Sequence, residues 1–206
     1  MSIKAIIFDM DGVLIDAREW HYESLNDALE CFGQKITREE HLIRFDGLPT
    51  RDKLKILSSE GRCPRRLHGL INKLKQKFTI NHILRKCGPN FQHEYALSRF
   101  KKEGYKIALA SNSIRDTVNL MMSRSELEKY LDLTMTANDV EKSKPNPEIY
   151  ITTISKLNLK PSECLIIEDN HHGIIAAEGA KAHVLKVNNV LEVNYNNISN
   201  KIREIN

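Results

Sequence analysis

No run of apolar residues in this 206-residue chain approaches the roughly 20 that a bilayer-spanning helix needs, which excludes a helical membrane span. Cysteine is scarce. Cys31, Cys63, Cys87 and Cys164 lie far apart and form no Cys-x-x-Cys pair. That spacing argues against a zinc ribbon or a disulfide framework and for buried or idle thiols in a reducing compartment. Neither charge sign dominates, since 31 Lys and Arg against 27 Asp and Glu leave a net charge of +4. No basic stripe with interleaved aromatics appears, so a nucleic acid is not an expected partner. The first apolar run, Ala5 to Phe8, is too short for a signal-peptide core and runs straight into acids, so a cytoplasmic protein with no membrane partner is expected. An apolar content of 41% and a charged content of 28% describe an ordinary globular chain. Its length allows roughly 70% of the unfolded surface to be buried, enough for one core plus a small appendage.

What is present is concentrated at one point. Ile6-Ile7-Phe8 reads as a strand buried on both faces, and it ends in Asp9-Met10-Asp11-Gly12. Desolvating a carboxylate costs several kcal/mol or more, so two acids at the end of a buried strand must meet a cation or hydrogen-bond donors. Gly12 lets the backbone turn away. In an open α/β sheet, ligands bind beyond the carboxyl ends of the strands. The charge distribution adds a second feature. Eleven Lys or Arg residues stand between Arg51 and Lys86 against two acids, Asp52 and Glu60. Such a block either concentrates an anionic substrate or simply covers solvated helix faces.

Residues 16–86 read as consecutive helices. Asp16 is placed to cap a helix that runs to about Cys31 and stops at Gly33, with Leu25, Ala28, Leu29 and Phe32 on one face. Thr37 and Glu40 form a capping-box pattern, Thr50 is a candidate cap for a third helix, and Pro64 suits the first turn of a fourth. After Gly88-Pro89 the pattern alternates. A helix to Glu103 precedes a strand from Tyr105 to Ala110, and a helix from about Arg115 precedes a strand from Leu133 to Thr136. A helix from Pro147 precedes a strand from Cys164 to Ile167, and a helix from about His172 to Gly179 precedes a strand from His183 to Val187. Alternation of this kind predicts an α/β fold with a doubly wound parallel sheet. The predicted division is a core of 1–15 and 87–206 with an all-helical insert of 16–86. The asparagine-rich C-terminal stretch predicts little, and no internal repeat is present.

Four segments in order carry a resemblance: Asp9-Met10-Asp11-Gly12-Val13-Leu14; Ile107-Ala108-Leu109-Ala110-Ser111-Asn112; Lys144-Pro145-Asn146-Pro147; and Cys164-Leu165-Ile166-Ile167-Glu168-Asp169-Asn170 with Gly173. Together they resemble the haloacid dehalogenase-like hydrolase superfamily. The helical insert resembles the cap of the branch that holds β-phosphoglucomutases and phosphoglycolate phosphatase-like enzymes. The resemblance implies that Asp9 is a nucleophile and Asp11 a general acid/base. It implies that Ser111 and Asn112 bind phosphate oxygens and that Lys144 balances charge. It also implies that Mg²⁺ is held by Asp9, Asp169, the main-chain carbonyl of Asp11 and, directly or through water, Glu168. Oxygen ligands suit that cation. Carboxylate nucleophiles form aspartyl-phosphates elsewhere in phosphoryl transfer.

In the insert, Asp16 and His21 fall where β-phosphoglucomutases also carry an Asp and a His. Gly47-Leu48-Pro49-Thr50-Arg51 is similar to their substrate-contacting loop, and Lys75 aligns with a further cap lysine. Arg51 and His21 are therefore candidate substrate-binding residues, a guanidinium being suited to a second anionic group. Ala17 departs from the pattern, where a Thr or Ser is usual. His171 and His172 read as exposed helix-start residues. The expected activity is a Mg²⁺-dependent phosphatase acting on a small phosphorylated metabolite such as a sugar phosphate, as a monomer or weak homodimer. The alternatives are a phosphosugar mutase and, less compatible with intact acids, a sugar-phosphate sensor.

Overall fold

The computed structural model describes residues 2–206. Five strands form a parallel sheet: β1 (Ala5–Phe8), β2 (Lys106–Ala110), β3 (Leu133–Met135), β4 (Cys164–Glu168) and β5 (His183–Lys186), in the order β3-β2-β1-β4-β5. β1 lies in the middle, with Phe8 level with Leu109 of β2 and with Ile167 of β4. The strand order reverses at β1, so its carboxyl end opens on the crevice where such sheets bind ligands. Alternate side chains take opposite faces. Ala5 and Ile7 join Ala108, Ala110, Cys164 and Ile166 in one apolar cluster, which leaves Ile6 and Phe8 to the other face. Burial on both faces explains why β1 and β4 lack the polar alternation of a half-exposed strand.

The chain falls into two compact units, one made by the chain up to Asp16 with Gly88–Asn206, the other by Ala17–Cys87. The second unit holds α1 (Arg18–Glu30), the single turn α2 (Arg38–Glu40), α3 (Thr50–Ser59) and α4 (His68–Lys86). Its own core contains Leu25, Leu29, Ile36, Phe45, Leu54, Leu57 and Ile71. Each fully buried Leu or Ile there contributes about 1.5–3 kcal/mol.

The helices stand where the apolar spacing puts them, but two expected caps do not form and one proline falls short of its helix. α1 is preceded by Ala17 with no side-chain cap, and Asp16 is exposed. Thr50 is already helical, and Pro49 holds the cap position. Pro64 precedes a short 3₁₀ turn, Arg65–Leu67, rather than α4 itself. Thr37 does cap, accepting from the Glu40 N–H at 3.1 Å, while the Glu40 carboxylate is taken by Arg44 and Arg62. α2 also runs on into a π-helical turn, His41–Phe45, closed by Asp46 N–H to His41 O at 2.9 Å. The wider turn buries His41 and Phe45 and leaves Leu42 and Ile43 exposed.

Much of the basic block proves to be spoken for. Lys55 pairs with Asp52, Arg62 with Glu40 and Glu60, and Lys86 with Glu23. Lys53 and Lys75 are instead buried, the first 3.4 Å from His41 Nε2 and the second 3.1 Å from His21 Nδ1.

Burial, with Lys53, Arg38 and His21 around it, pushes the His41 pKa down to about 3. The folded chain therefore keeps this ring neutral while the unfolded chain protonates it below about 6.5. The unfolded state binds the extra proton between those values, so stability falls as pH drops from 6.5 toward 3 and is fully present above 6.5. The limiting slope is about 1.4 kcal/mol per pH unit. His41→Gln, which keeps an acceptor for Lys53, should flatten that acid arm. Urea midpoints measured at pH 7 and pH 5 check it, and an equal loss in both proteins would assign the acid sensitivity elsewhere.

The first unit adds α5 (Phe91–Lys102), α6 (Arg115–Arg124), α7 (Glu148–Lys156), α8 (His171–Gly179) and α9 (Tyr195–Ile205). α9 has no counterpart in the sequence reading. Asn194 caps it by accepting from Asn197 N–H, and it buries Ile198 and Ile202. Among the described residues no helix is long and apolar enough to cross a membrane.

Candidate active site

The carboxyl ends of β1, β2 and β4 and the loop before α7 meet in one cluster. β1 delivers Asp9, whose N–H bonds Ile167 O at 3.0 Å and so continues the ladder by one residue. The chain then turns through Gly12, whose φ of 88° is one that an L side chain rarely adopts. That turn is closed by Gly12 N–H to Ile15 O at 2.7 Å and by Leu14 and Ile15 N–H to Met10 O at 2.9 Å each. Asp9 is thus held on a fixed backbone and is nearly buried.

Lys144 is the hub. Its side chain is 3% exposed, and the ammonium donates to Asp9 Oδ1 at 2.6 Å, to Glu168 Oε1 at 2.7 Å and to Ala110 O at 2.8 Å. Three N–H groups meet three acceptors, so its donor capacity is filled by the protein. Burial works against this charge, but Asp9 and Glu168 outweigh it and hold the Lys144 pKa above its usual range. For Asp9, burial is the largest influence and Lys144 opposes it. Glu168, Asp169 and Asp11 then add to the rise, leaving its carboxyl well above the ordinary carboxylate range. The buried cluster carries more acid than the one lysine can neutralise.

Asp9, Glu168 and Asp169 each present a carboxylate oxygen within 4.8 Å of the others. Three acids beside one ammonium leave a deficit of about two positive charges, and the donors are all oxygen. That set fits a divalent hard cation such as Mg²⁺ better than zinc.

Ser111 is buried at the end of β2, where its Oγ accepts from Ser113 N–H at 3.0 Å. Asn112 does something that the sequence reading does not foresee. Its side chain accepts from Lys144 N–H at 3.0 Å and donates to Lys144 O at 3.4 Å, which clamps the lysine's main chain. Asp11 turns its carboxylate to Ser113 Oγ at 2.9 Å and is not part of the three-carboxylate group. His21 and Arg51 belong to the helical unit. There His21 meets Lys75, and Arg51 is exposed with its Nε 3.6 Å from Asp52.

Two residues of the network are absent from the sequence reading. The Tyr150 hydroxyl donates to Glu168 Oε1 at 2.5 Å, and its ring lies 4.7 Å from the Lys144 ammonium. Burial, then Glu168 and Asp9, push its pKa well up, so it stays a donor. The available signal is its position on the buried face of α7 with Ile149, Thr153 and Ile154, three residues after Pro147. Ser113 is the other. Gly173, by contrast, belongs to the fourth motif segment, and the structure gives its reason: a Cβ there would lie 2.0 Å from the Glu168 carboxyl carbon.

A parallel sheet that reverses its order at a carboxylate-tipped strand, with a buried lysine bridging two acids, places this chain among doubly wound α/β proteins with an acidic site at the switch point of the sheet. The model of the haloacid dehalogenase-like hydrolases matches residues 6–187, and the chain belongs to that family, in its cap-containing branch. It is 31% identical over 179 residues to a phosphorylated carbohydrates phosphatase of Thermotoga maritima, covering 86% of this chain and 82% of that protein. It is 26% identical to a pyrophosphatase PpaX of Bacillus mycoides, over 91% of this chain and 84% of the other. Among solved structures, a β-phosphoglucomutase from Clostridium difficile superposes with a TM-score of 0.83 at 23% identity, over 98% of each chain. CbbY from Rhodobacter sphaeroides, solved with phosphate, superposes with a TM-score of 0.81 at 20% identity, over 89% and 85%. At those identities the two structures speak for the fold alone. The protein is a phosphoester hydrolase.

Proposed function

We propose that this protein is a Mg²⁺-dependent phosphatase that releases phosphate from a small phosphorylated metabolite, a sugar phosphate by preference, through an aspartyl-phosphate on Asp9. The observation that carries the reading is the buried Lys144 ammonium bridging Asp9 and Glu168 at 2.6 and 2.7 Å, with Asp169 alongside. The sugar-phosphate preference is supported by the name of the Thermotoga relative.

In this scheme Asp9 Oδ attacks phosphorus as the bond to the leaving oxygen breaks. Asp11 gives that oxygen a proton and later takes one from the water that attacks the phosphorus. The bond from phosphorus to Asp9 then breaks and the carboxylate is restored. Asp9, Glu168 and Asp169, with the Asp11 main-chain carbonyl, would hold Mg²⁺, which supplies the positive charge that lets a carboxylate and a phosphoryl group approach. Lys144 offsets charge on Asp9, and Ser111 offers its hydroxyl to a phosphate oxygen. The Asn112 side chain sets Lys144, which leaves its main-chain N–H for phosphate. His21 and Arg51 are assigned to substrate selection by resemblance.

Chelation tests the reading. Phosphate release from 4-nitrophenyl phosphate and from a panel of sugar phosphates should fall to background with excess chelator and return with Mg²⁺. Ca²⁺ should inhibit, because its larger and looser shell disturbs in-line geometry. Full activity after exhaustive chelation would exclude the metal, and no turnover of any phosphomonoester would exclude the activity.

A further inference from the structure

Ser113, in the loop between β2 and α6, is pinned at both main-chain groups. Its N–H donates to Ser111 Oγ at 3.0 Å and its carbonyl accepts from Ala137 N–H at 3.1 Å. With the backbone fixed, its half-buried hydroxyl donates to Asp11 Oδ2 at 2.9 Å, across 102 residues of sequence. Asp11 stands on the equally closed turn formed by Met10, Gly12 and Ile15. Two rigid pieces of backbone thus bring a hydroxyl against one oxygen of a carboxyl group. A hydroxyl suits a partner that changes protonation state, since it donates to a carboxylate and accepts from a carboxylic acid.

We propose that Ser113 is a positioning residue for Asp11. It holds the carboxyl in one orientation through both halves of the proton cycle, so that the proton given to the leaving oxygen and the proton taken from water pass at the same place. The inference rests on the reading of Asp11 as the general acid/base. Proton help matters for an alkoxide leaving group and little for a nitrophenolate. The role therefore has a signature that a merely structural serine lacks: its loss should fall on kcat for poor leaving groups.

The test compares Ser113→Ala, Ser113→Thr and Asp11→Asn on 4-nitrophenyl phosphate and on the best alkyl or sugar phosphate of the panel. Ser113→Ala should lose about 10- to 100-fold in kcat on the alkyl substrate, the effect of one hydrogen bond to a charged group, with a clearly smaller loss on the aryl substrate. KM should change little, and Ser113→Thr, which restores the hydroxyl, should recover most of the loss. Equal losses on both substrates, a change confined to KM, or no loss at all would each overturn the proposal. Asp11→Asn separates the two levels. If it discriminates between the substrates and Ser113→Ala does not, only the role of Ser113 falls. If Asp11→Asn itself does not discriminate, the acid/base reading falls with it.

Discussion

Asp9→Asn should reduce kcat by about a thousandfold or more, because the change removes the nucleophile rather than a supporting contact. The protein should still fold. Asparagine has the same shape, and its Oδ1 can accept from the Lys144 ammonium that now sits 2.6 Å away. The substitution also removes one of three crowded acids, whose mutual repulsion contributes to the raised Asp9 pKa. Phosphate release by the purified variant, beside its thermal midpoint, decides the matter. Near wild-type turnover by a folded Asp9→Asn protein would sink the aspartyl-phosphate mechanism.

Lys144→Met should be the most damaging change to stability in the site. It deletes three hydrogen bonds and leaves Asp9 and Glu168 buried without their cation. Removing one partner of a buried pair costs about 3–5 kcal/mol. For a chain of this size that is a fall in Tm of roughly 6–20 °C. Activity should drop by about 100-fold or more, the usual scale for losing a preorganised charge at a reacting centre. Two conditions should repair part of the stability. Added Mg²⁺ supplies the missing charge. Lower pH does so too, because the Asp9 carboxyl, whose folded pKa lies above the unfolded value, binds its proton more readily in the folded chain, and stability then rises as pH falls. A Tm within a degree or two of wild type would mean that the ammonium network contributes no net stability.

How much of this was legible in the sequence depends on whether a residue's role is local. β1, β2 and β4 were readable because strands buried on both faces are continuous apolar runs, and their ends carry the acids and the hydroxyl. The Lys144 loop was readable from its prolines and from the family pattern. The caps were less so. Asp16 and Thr50 have the right chemistry one residue from where the backbone uses it, and one residue of shift changes the cap; Pro64 lies one turn ahead of the helix it was expected to open. The π-helical turn at His41–Phe45 has no periodic signature of its own. α9 was hidden because asparagines dilute its pattern, although Ile198 and Ile202 stand four apart on its buried side. Tyr150 and Ser113 were out of reach for a different reason. Each acts on an acid that only the folded sheet brings close, Glu168 at 18 residues' distance and Asp11 at 102. Asn112 is expected from the sequence to face phosphate, whereas in the structure its side chain serves the Lys144 main chain.

The packing at Gly173 has a consequence for anyone who wishes to redirect this enzyme. The space a side chain would fill there is already occupied by the Glu168 carboxyl, so any substitution displaces an acid of the cluster before it can affect a substrate. Its neighbours His171 and His172, exposed and half-buried in the same helical turn, carry no such constraint. A library built on this turn should therefore diversify the two histidines and keep the glycine. In a selection for new substrates, position 173 should return as glycine in nearly every survivor, while 171 and 172 disperse.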